Sequence, residues 1–183
     1  VRILEDQILV WRCKHGDKDA LYRIYEKYEE DLLTMAAHLL GDTAGAEDVL
    51  QDVFLRFVES LDTFRLTGSL KAYLATCVVN RCRDQFRRNG RDRTVPMESA
   101  EQAVSAEKNP VQTAIRQEEL QRVNCALAEL PYQQREAVVL HLTGDMKFHA
   151  IATLQEVPVK TVLSRYRYGL DKLRSLLDGE VSK

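Results

Sequence analysis

The sequence predicts an all-α protein: two small helical domains joined by a flexible linker, the C-terminal one containing a helix-turn-helix. Three observations carry this expectation. Apolar residues recur at steps of three and four along most of the chain, which is the spacing of one helical face, and no stretch shows a convincing β-hairpin alternation. That period dissolves over residues 91–112, where RDRTVPMESAEQAVSAEKNP brings polar and small side chains and two prolines, so this segment reads as a linker. Finally, HAIATLQEVPVKTVLSRY places a short helix, a turn at Glu156-Val157 and a second helix in succession. The expected domains are therefore 1–90 and 113–183.

In the first domain, Leu21, Tyr25, Tyr28, Leu32, Met35 and Leu39 form a helical stripe that stops at Gly41, a residue that tolerates the left-handed turn after a helix. Asp42 or Thr43 caps the next helix, and Glu47 and Asp48 set negative charge near its positive end. Its apolar residues Val49, Leu50, Val53, Phe54, Phe57, Val58 and Leu61 exceed what one narrow seam needs, which leaves some for a partner. Gly68-Ser69 opens a third long helix with Leu70, Tyr73, Leu74, Cys77, Val78, Cys82 and Phe86 on its apolar side. Thr76, Asn80, Arg83 and Arg87 share the opposite side, and RCRDQFRRNGRDR at its end is the most basic run in the protein.

After the linker the helical period resumes with Ile115, Leu120, Val123, Leu127 and Leu130, until Pro131 closes or redirects it. In the second helix of the helix-turn-helix, Val159, Val162, Tyr166, Leu170, Leu173 and Leu177 form the core stripe. Lys160, Ser164, Arg167, Tyr168 and Asp171 lie opposite, flanked by Arg165 and Lys172. Ala152, Val157 and Val162 are small or branched enough for two helices to cross closely, and Pro158 is acceptable where the first helical N–H has no internal partner. A helix of this kind fits a DNA major groove, although a charged stripe alone describes a solvated face equally well.

Composition narrows the function. The formal net charge is −2, and the segments 1–90, 91–112 and 113–183 carry 13, 3 and 10 basic residues against 15, 4 and 9 acidic ones. Independent DNA binding is then weak, because unaided gripping of phosphates needs a basic excess. Cys13, Cys77, Cys82 and Cys125 lack the paired close spacing of zinc sites and read as small hydrophobes in a reducing cytoplasm. His15, His38, His141 and His149 join no nucleophile, metal or phosphate-loop pattern. The expectation is a non-enzymatic protein with no metal or cofactor, no secretory signal and no membrane insertion.

GDTAGAEDVLQDVFLRFVESLDTFR followed by SLKAYLATCVVNRCRDQFRR, and later LAELPYQQREAVVLHLTGD followed by the helix pair, together resemble the extracytoplasmic-function class of bacterial RNA polymerase sigma factors. The resemblance runs from about Leu21 to Leu177, in order, with a linker where the family has one. It implies a dissociable subunit of core RNA polymerase that touches the clamp and flap, reads the −10 and −35 elements of promoter DNA, and is held by an anti-sigma factor. Asp48, Gln51, Asp52 and Phe54 match the helix that holds the clamp. Phe64 and Arg65 in DTFRLTGS, with Thr76, Asn80, Arg83, Asp84, Arg87 and Arg88, match the −10 reader. Strand opening needs such a basic groove and surfaces that capture unstacked bases, while Phe64 fits a core anchor beneath the loop equally well. Lys160, Thr161, Ser164, Arg165, Arg167 and Tyr168 match the −35 reader.

The chain also departs from the family pattern. Glu156 stands where the turn usually has Gly, Pro158 where the cap is usually Ser or Thr, and His149-Ala150 where an acidic pair is common. Two rival readings stay open: residues 148–175 alone fit an autonomous helix-turn-helix regulator, and Glu156 and Pro158 fit a sigma-like interaction module with altered −35 reading. Reach is a further constraint. Promoter elements about 25 base pairs apart are roughly 85 Å apart, whereas a flexible linker of about 22 residues spans about 25 Å unless something holds it open.

Overall fold

A computed structural model describes the chain at residues 2–91 and 110–181, with side-chain surroundings at 4–88 and 118–178. Among the described residues there are eight α-helices and no strand: α1 (Arg2–Lys14), α2 (Lys18–Leu40), α3 (Thr43–Ser60), α4 (Leu70–Arg91), α5 (Pro110–Ala128), α6 (Tyr132–Leu142), α7 (Phe148–Gln155) and α8 (Val159–Val181). The fold is the expected pair of helical domains. Most of the linker expected at 91–112 lies outside the described residues, and α5 already begins at Pro110.

Helix ends follow local chemistry. The Asp42 carboxylate accepts from the Ala44 and Gly45 N–H groups at 3.1 and 2.9 Å and so caps α3, while Gly41 ends α2 in a left-handed turn at φ 76°. Asp17 caps α2 in the same manner. Pro131 redirects the chain: its carbonyl accepts from Gln134 and Arg135, so it stands immediately before α6. Pro158 likewise precedes α8 and is not its first residue.

Helix α1 has no counterpart among the expected elements. Leu9, Val10 and Cys13 bury its inner side, and a carboxylate lies among them: Asp6, 3% exposed, accepts from the Tyr28 hydroxyl and from Lys27 Nζ at 2.8 Å. A buried carboxylate so paired and bonded is stable, and it ties α1 to α2 at one register. Around α2, helices α1, α3 and α4 complete the first bundle. The second bundle packs α8 against α6, α7 and α5. Gly169 lets α8 approach closely, since a Cβ there would stand 2.9 Å from Val138 Cγ2.

The two bundles also touch each other. α2 packs against both α5 and α6, Arg135 Nη1 donates to Leu39 O at 2.9 Å, and the Phe86 and Tyr132 rings meet edge-on at 5.0 Å. Buried side chains from both bundles form one continuous cluster.

Candidate nucleic-acid and polymerase interfaces

Helix α3 presents a mixed stripe to solvent. Asp48 and Gln51 are exposed, and Asp52 is half-exposed and ion-paired with Arg81 of α4. Phe54 is not on this surface. It is 7% exposed and packs edge-on against Tyr25 at 4.8 Å, because its position falls on the inner side of α3. The apolar contribution to the outer stripe comes instead from Leu55 and Val58, 57% and 40% exposed. Both stand one helical turn or two from Gln51, so the surplus of apolar residues in α3 is their sequence signal.

The loop before α4 rests on an aromatic stack. Phe64 lies 5.4 Å from Phe57 and 4.7 Å from Tyr73, so its ring anchors the loop and leaves Arg65 exposed. Ser69 Oγ accepts from the Ala72 N–H and starts α4. Along α4, Asn80, Arg87 and Arg88 are exposed, with Arg87 3.5 Å from Asp84. The Thr76 hydroxyl donates to Ala72 O at 2.8 Å within its own helix.

Arg83 departs from the expected open basic face. Its Nε and Nη2 donate to both oxygens of Glu136 at 2.9 and 2.5 Å, and Nη1 donates to Leu154 O at 3.2 Å. Glu136, on α6, is only 1% exposed, and no sequence pattern singles it out. Its surroundings register the charge: burial, and then the Glu136 carboxylate, push the neighbouring Cys82 thiol up to about 12. The same two causes raise the Tyr132 phenol well above its usual range.

In the helix-turn-helix, the end of α7 is closed by paired backbone bonds. The Val157 N–H donates to Ala152 O and the Glu156 N–H to Thr153 O, the arrangement that satisfies the last carbonyls of a helix. It places Glu156 in the left-handed region at φ 54°, the conformation in which glycine is free of strain. Replacing Glu156 with Gly is therefore expected to raise unfolding free energy by about 0.5–1 kcal/mol, relief of strain outweighing the entropy gained by the unfolded chain. The denaturant midpoint measures it, and an unmoved or lowered midpoint counts against a strained turn.

Helix α8 is two-sided. Val162 and Gly169 are buried, with Val159, Tyr166, Leu170 and Leu173 packed on the core, and Tyr166 meets Phe148 and His141 edge-on. His141 Nδ1 donates to Met146 O at 2.9 Å, which holds that aromatic group under the helix pair. On the outer side Lys160, Arg167 and Tyr168 are exposed, and the Arg167 guanidinium lies 5.2 Å from the Tyr168 ring centre. Thr161 is half-buried, and the Ser164 hydroxyl donates back to Lys160 O. The flanking cations face the fold: Arg165 Nη1 donates to Gln155 Oε1 at 2.7 Å and Lys172 Nζ to Glu129 O at 2.7 Å. Among the described residues, no group of three or more His, Cys, Asp or Glu side chains is placed to hold a metal ion.

Comparison with known proteins explains why two such surfaces share one chain. Residues 24–92 match the sigma-70 region 2 model and residues 120–173 the sigma-70 region 4 model. The RNA polymerase sigma-H factor of Pseudomonas aeruginosa is 29% identical over 179 residues, covering 92% of this chain and 93% of that protein. The ECF RNA polymerase sigma factor SigW of Bacillus subtilis is 25% identical over 174 residues, covering 91% and 93%. Among solved structures, the sigma factor RpoE of Bartonella quintana, in complex with the anti-sigma factor NepR, matches with a TM-score of 0.69 and 25% identity over 86% of this chain and 96% of that one. CnrH, in complex with the cytosolic domain of CnrY, shares the fold at a TM-score of 0.69 and 24% identity over 96% and 98%.

Region 2 followed by region 4 on an all-helical frame defines a transcription initiation factor that works with RNA polymerase. The chain belongs to the sigma-70 family, in its extracytoplasmic-function group, and directs promoter-specific transcription.

Proposed function

We propose that residues 1–90 hold the polymerase clamp and open the −10 element, that 91–112 link the halves, and that 113–183 meet the flap and read the −35 element. The carrying observation is the two-sidedness of α8: Val162 is fully buried, while Lys160, Arg167 and Tyr168 stand out on the other side of a helix-turn-helix. Such a helix offers cations and a hydroxyl-bearing ring to a groove without disturbing its own packing.

On the first half, Asp48, Gln51, Asp52, Leu55 and Val58 form the clamp-facing stripe, acidic at one end and apolar at the other. Phe54 supports that stripe from beneath. Arg65, Asn80, Arg87 and Arg88 face the separated strand. The protein contributes no bond-making chemistry of its own: it positions the enzyme that does. Its place of work is the cytoplasm, with the polymerase, and among the described residues no helix is long and apolar enough to cross a membrane.

An anti-sigma factor is the expected inhibitor, by analogy with the solved complex of RpoE and NepR. It would cover the α3 stripe and the basic end of α4, the surfaces that polymerase and DNA need. An autonomous regulator is disfavoured by the net charge of −2, which offers little phosphate binding without a larger partner.

Reconstitution tests this reading. Core polymerase with the full chain is expected to start transcripts at discrete positions in a genomic library, and sequencing the retained DNA should yield two short motifs separated by a constant spacer. Transcription unaltered by the added chain would overturn it, as would tight, site-specific DNA binding by the chain alone.

A further inference from the structure

The side of α1 turned away from α2 is apolar and uncovered. Leu4, Ile8 and Trp11 are 65%, 58% and 61% exposed, whereas Asp6, Leu9, Val10 and Cys13 are buried. Single exposed apolar side chains are ordinary, but these three form one line at steps of four and three, which the exposed His15 extends by a further four. That is the spacing of a coiled-coil seam, set directly opposite the buried stripe. The Trp11 ring does not turn back into the fold: it lies 4.3 Å from the His15 ring, and His15 Nδ1 donates to Trp11 O at 2.8 Å. We propose that this seam is a self-association surface, on which α1 of a second copy of this chain lies antiparallel about a twofold axis near Ile8.

Charge selects the occupant and its direction. α1 is acidic toward its start, at Glu5 and Asp6, and basic at its end, at Arg12 and Lys14. An antiparallel copy sets each acidic start beside the other's basic end, whereas a parallel copy sets like beside like. Glu5 flanks the seam on the same side as Arg12, seven residues on, so the twofold brings Glu5 of one copy to Arg12 of the other. Each is steadied within its own chain, Glu5 by Lys27 and Arg12 by Asp17. Each also keeps further bonding capacity, since a carboxylate accepts through two oxygens and a guanidinium donates through five N–H groups. The apolar residues match in the same register. Ile8 meets Ile8, and Trp11 of the second copy falls over Leu4, at the mouth of a groove that Leu4, Ile8 and Leu9 of α1 line with Arg23, Glu26 and Lys27 of α2. An indole seated among aliphatic stems and rimmed by charge is a strong interface anchor. Contact size sets the strength. Three such side chains offer about 400 Å² of apolar surface per copy, and with their flanks the twofold contact covers about 1,000 Å² in total, at the low end of specific association. The dimer therefore forms at tens of micromolar chain and is absent at nanomolar concentration.

Trp11 is the only tryptophan of the chain, so its fluorescence reports on this seam alone. Raising the full-length chain from nanomolar to several hundred micromolar is expected to shift the emission to shorter wavelength. In sedimentation equilibrium the weight-average mass should rise over the same range from 21.0 kDa toward twice that value. Ile8→Glu changes an exposed position, so the melting curve of the dilute chain should be unaltered. Association should weaken by about tenfold or more, because two carboxylates then face each other at the axis. Glu5→Lys and Arg12→Glu should each weaken it by about threefold alone, and a mixture of the two chains should recover it, which only the antiparallel pairing allows. α1 supplies no residue to the clamp and promoter surfaces proposed above, so holoenzyme carrying Ile8→Glu should initiate at the wild-type rate. A mass of 21.0 kDa with unshifted emission at the highest concentration would overturn the dimer. So would short-wavelength emission already present in the dilute chain, which would mean that the chain covers its own seam. A shift that appears only when core polymerase is added, or slowed initiation by the Ile8→Glu holoenzyme, would give the seam to the enzyme and not to a second copy. Failure of the mixed variants to recover would defeat the antiparallel seating.

Discussion

Replacing Phe57 with Ala is expected to lower unfolding free energy by about 3–5 kcal/mol, enough to depress the melting temperature by about 10 °C or more in a chain of this size. Phe57 is 1% exposed and is among the largest fully buried side chains in the protein. Its ring sits under both Phe64, at 5.4 Å, and Tyr73, at 6.3 Å. Truncation therefore removes the transfer free energy of a whole ring, leaves a cavity, and deletes two aromatic contacts worth about 0.5–1.5 kcal/mol each beyond their area. The same ring positions the loop that carries Arg65, so a milder change separates stability from function. Phe57→Leu should retain the fold while slowing strand opening by the holoenzyme, as read by permanganate reactivity of unpaired thymines. A loss below about 1 kcal/mol for Phe57→Ala would show that the first bundle is not organised around this ring.

Reversing charge at Lys160 and Arg167 together should cost the holoenzyme about two orders of magnitude in occupancy of a promoter that depends on its −35 element. Both residues are exposed on the outer side of α8, so Lys160→Glu and Arg167→Glu disturb no buried contact and the melting curve should be unaltered. Each reversal replaces attraction to the phosphate backbone by repulsion. If both side chains neutralise phosphates, the slope of log affinity against log salt should fall by about 1.8. If Arg167 instead forks onto a guanine, Arg167→Ala should relax preference at one base position by about 1–3 kcal/mol and spare the slope. A promoter footprint identical to wild type in both affinity and salt slope would mean that the outer side of α8 does not face DNA.

The contrast between Arg167 and Arg83 shows how far sequence reading extends. Both are arginines on the polar side of a helix, and periodicity treats them alike. One is exposed beside Tyr168; the other is folded against Glu136, 53 residues along the chain. Nothing in the spacing around Glu136 distinguishes it from a solvent-facing acid, for its neighbours Ala137, Val138, Val139 and Leu140 form an unbroken apolar run with no phase. Phe54, which the resemblance matches to the clamp-holding helix, lies buried on α3 for a related reason. α3 has apolar residues on several sides, so the inner side cannot be told from the outer by spacing, and the structure gives the inner one to Phe54 and the outer one to Leu55 and Val58. Helix α1 is hard to read from the sequence because its buried positions Leu9, Val10 and Cys13 are few and are accompanied by a buried acid.

What the chain determines by itself is therefore local and periodic: helices that follow the three-and-four spacing, the caps at Asp17 and Asp42, the left-handed stop at Gly41, and the turn between α7 and α8. These depend on hydrogen bonds and torsions within a few residues, so the nearby sequence suffices. Only the tertiary structure decides which charges find one another. A salt bridge between α4 and α6 depends on how two bundles pack, and packing is a property of whole faces in three dimensions, not of neighbours along the chain.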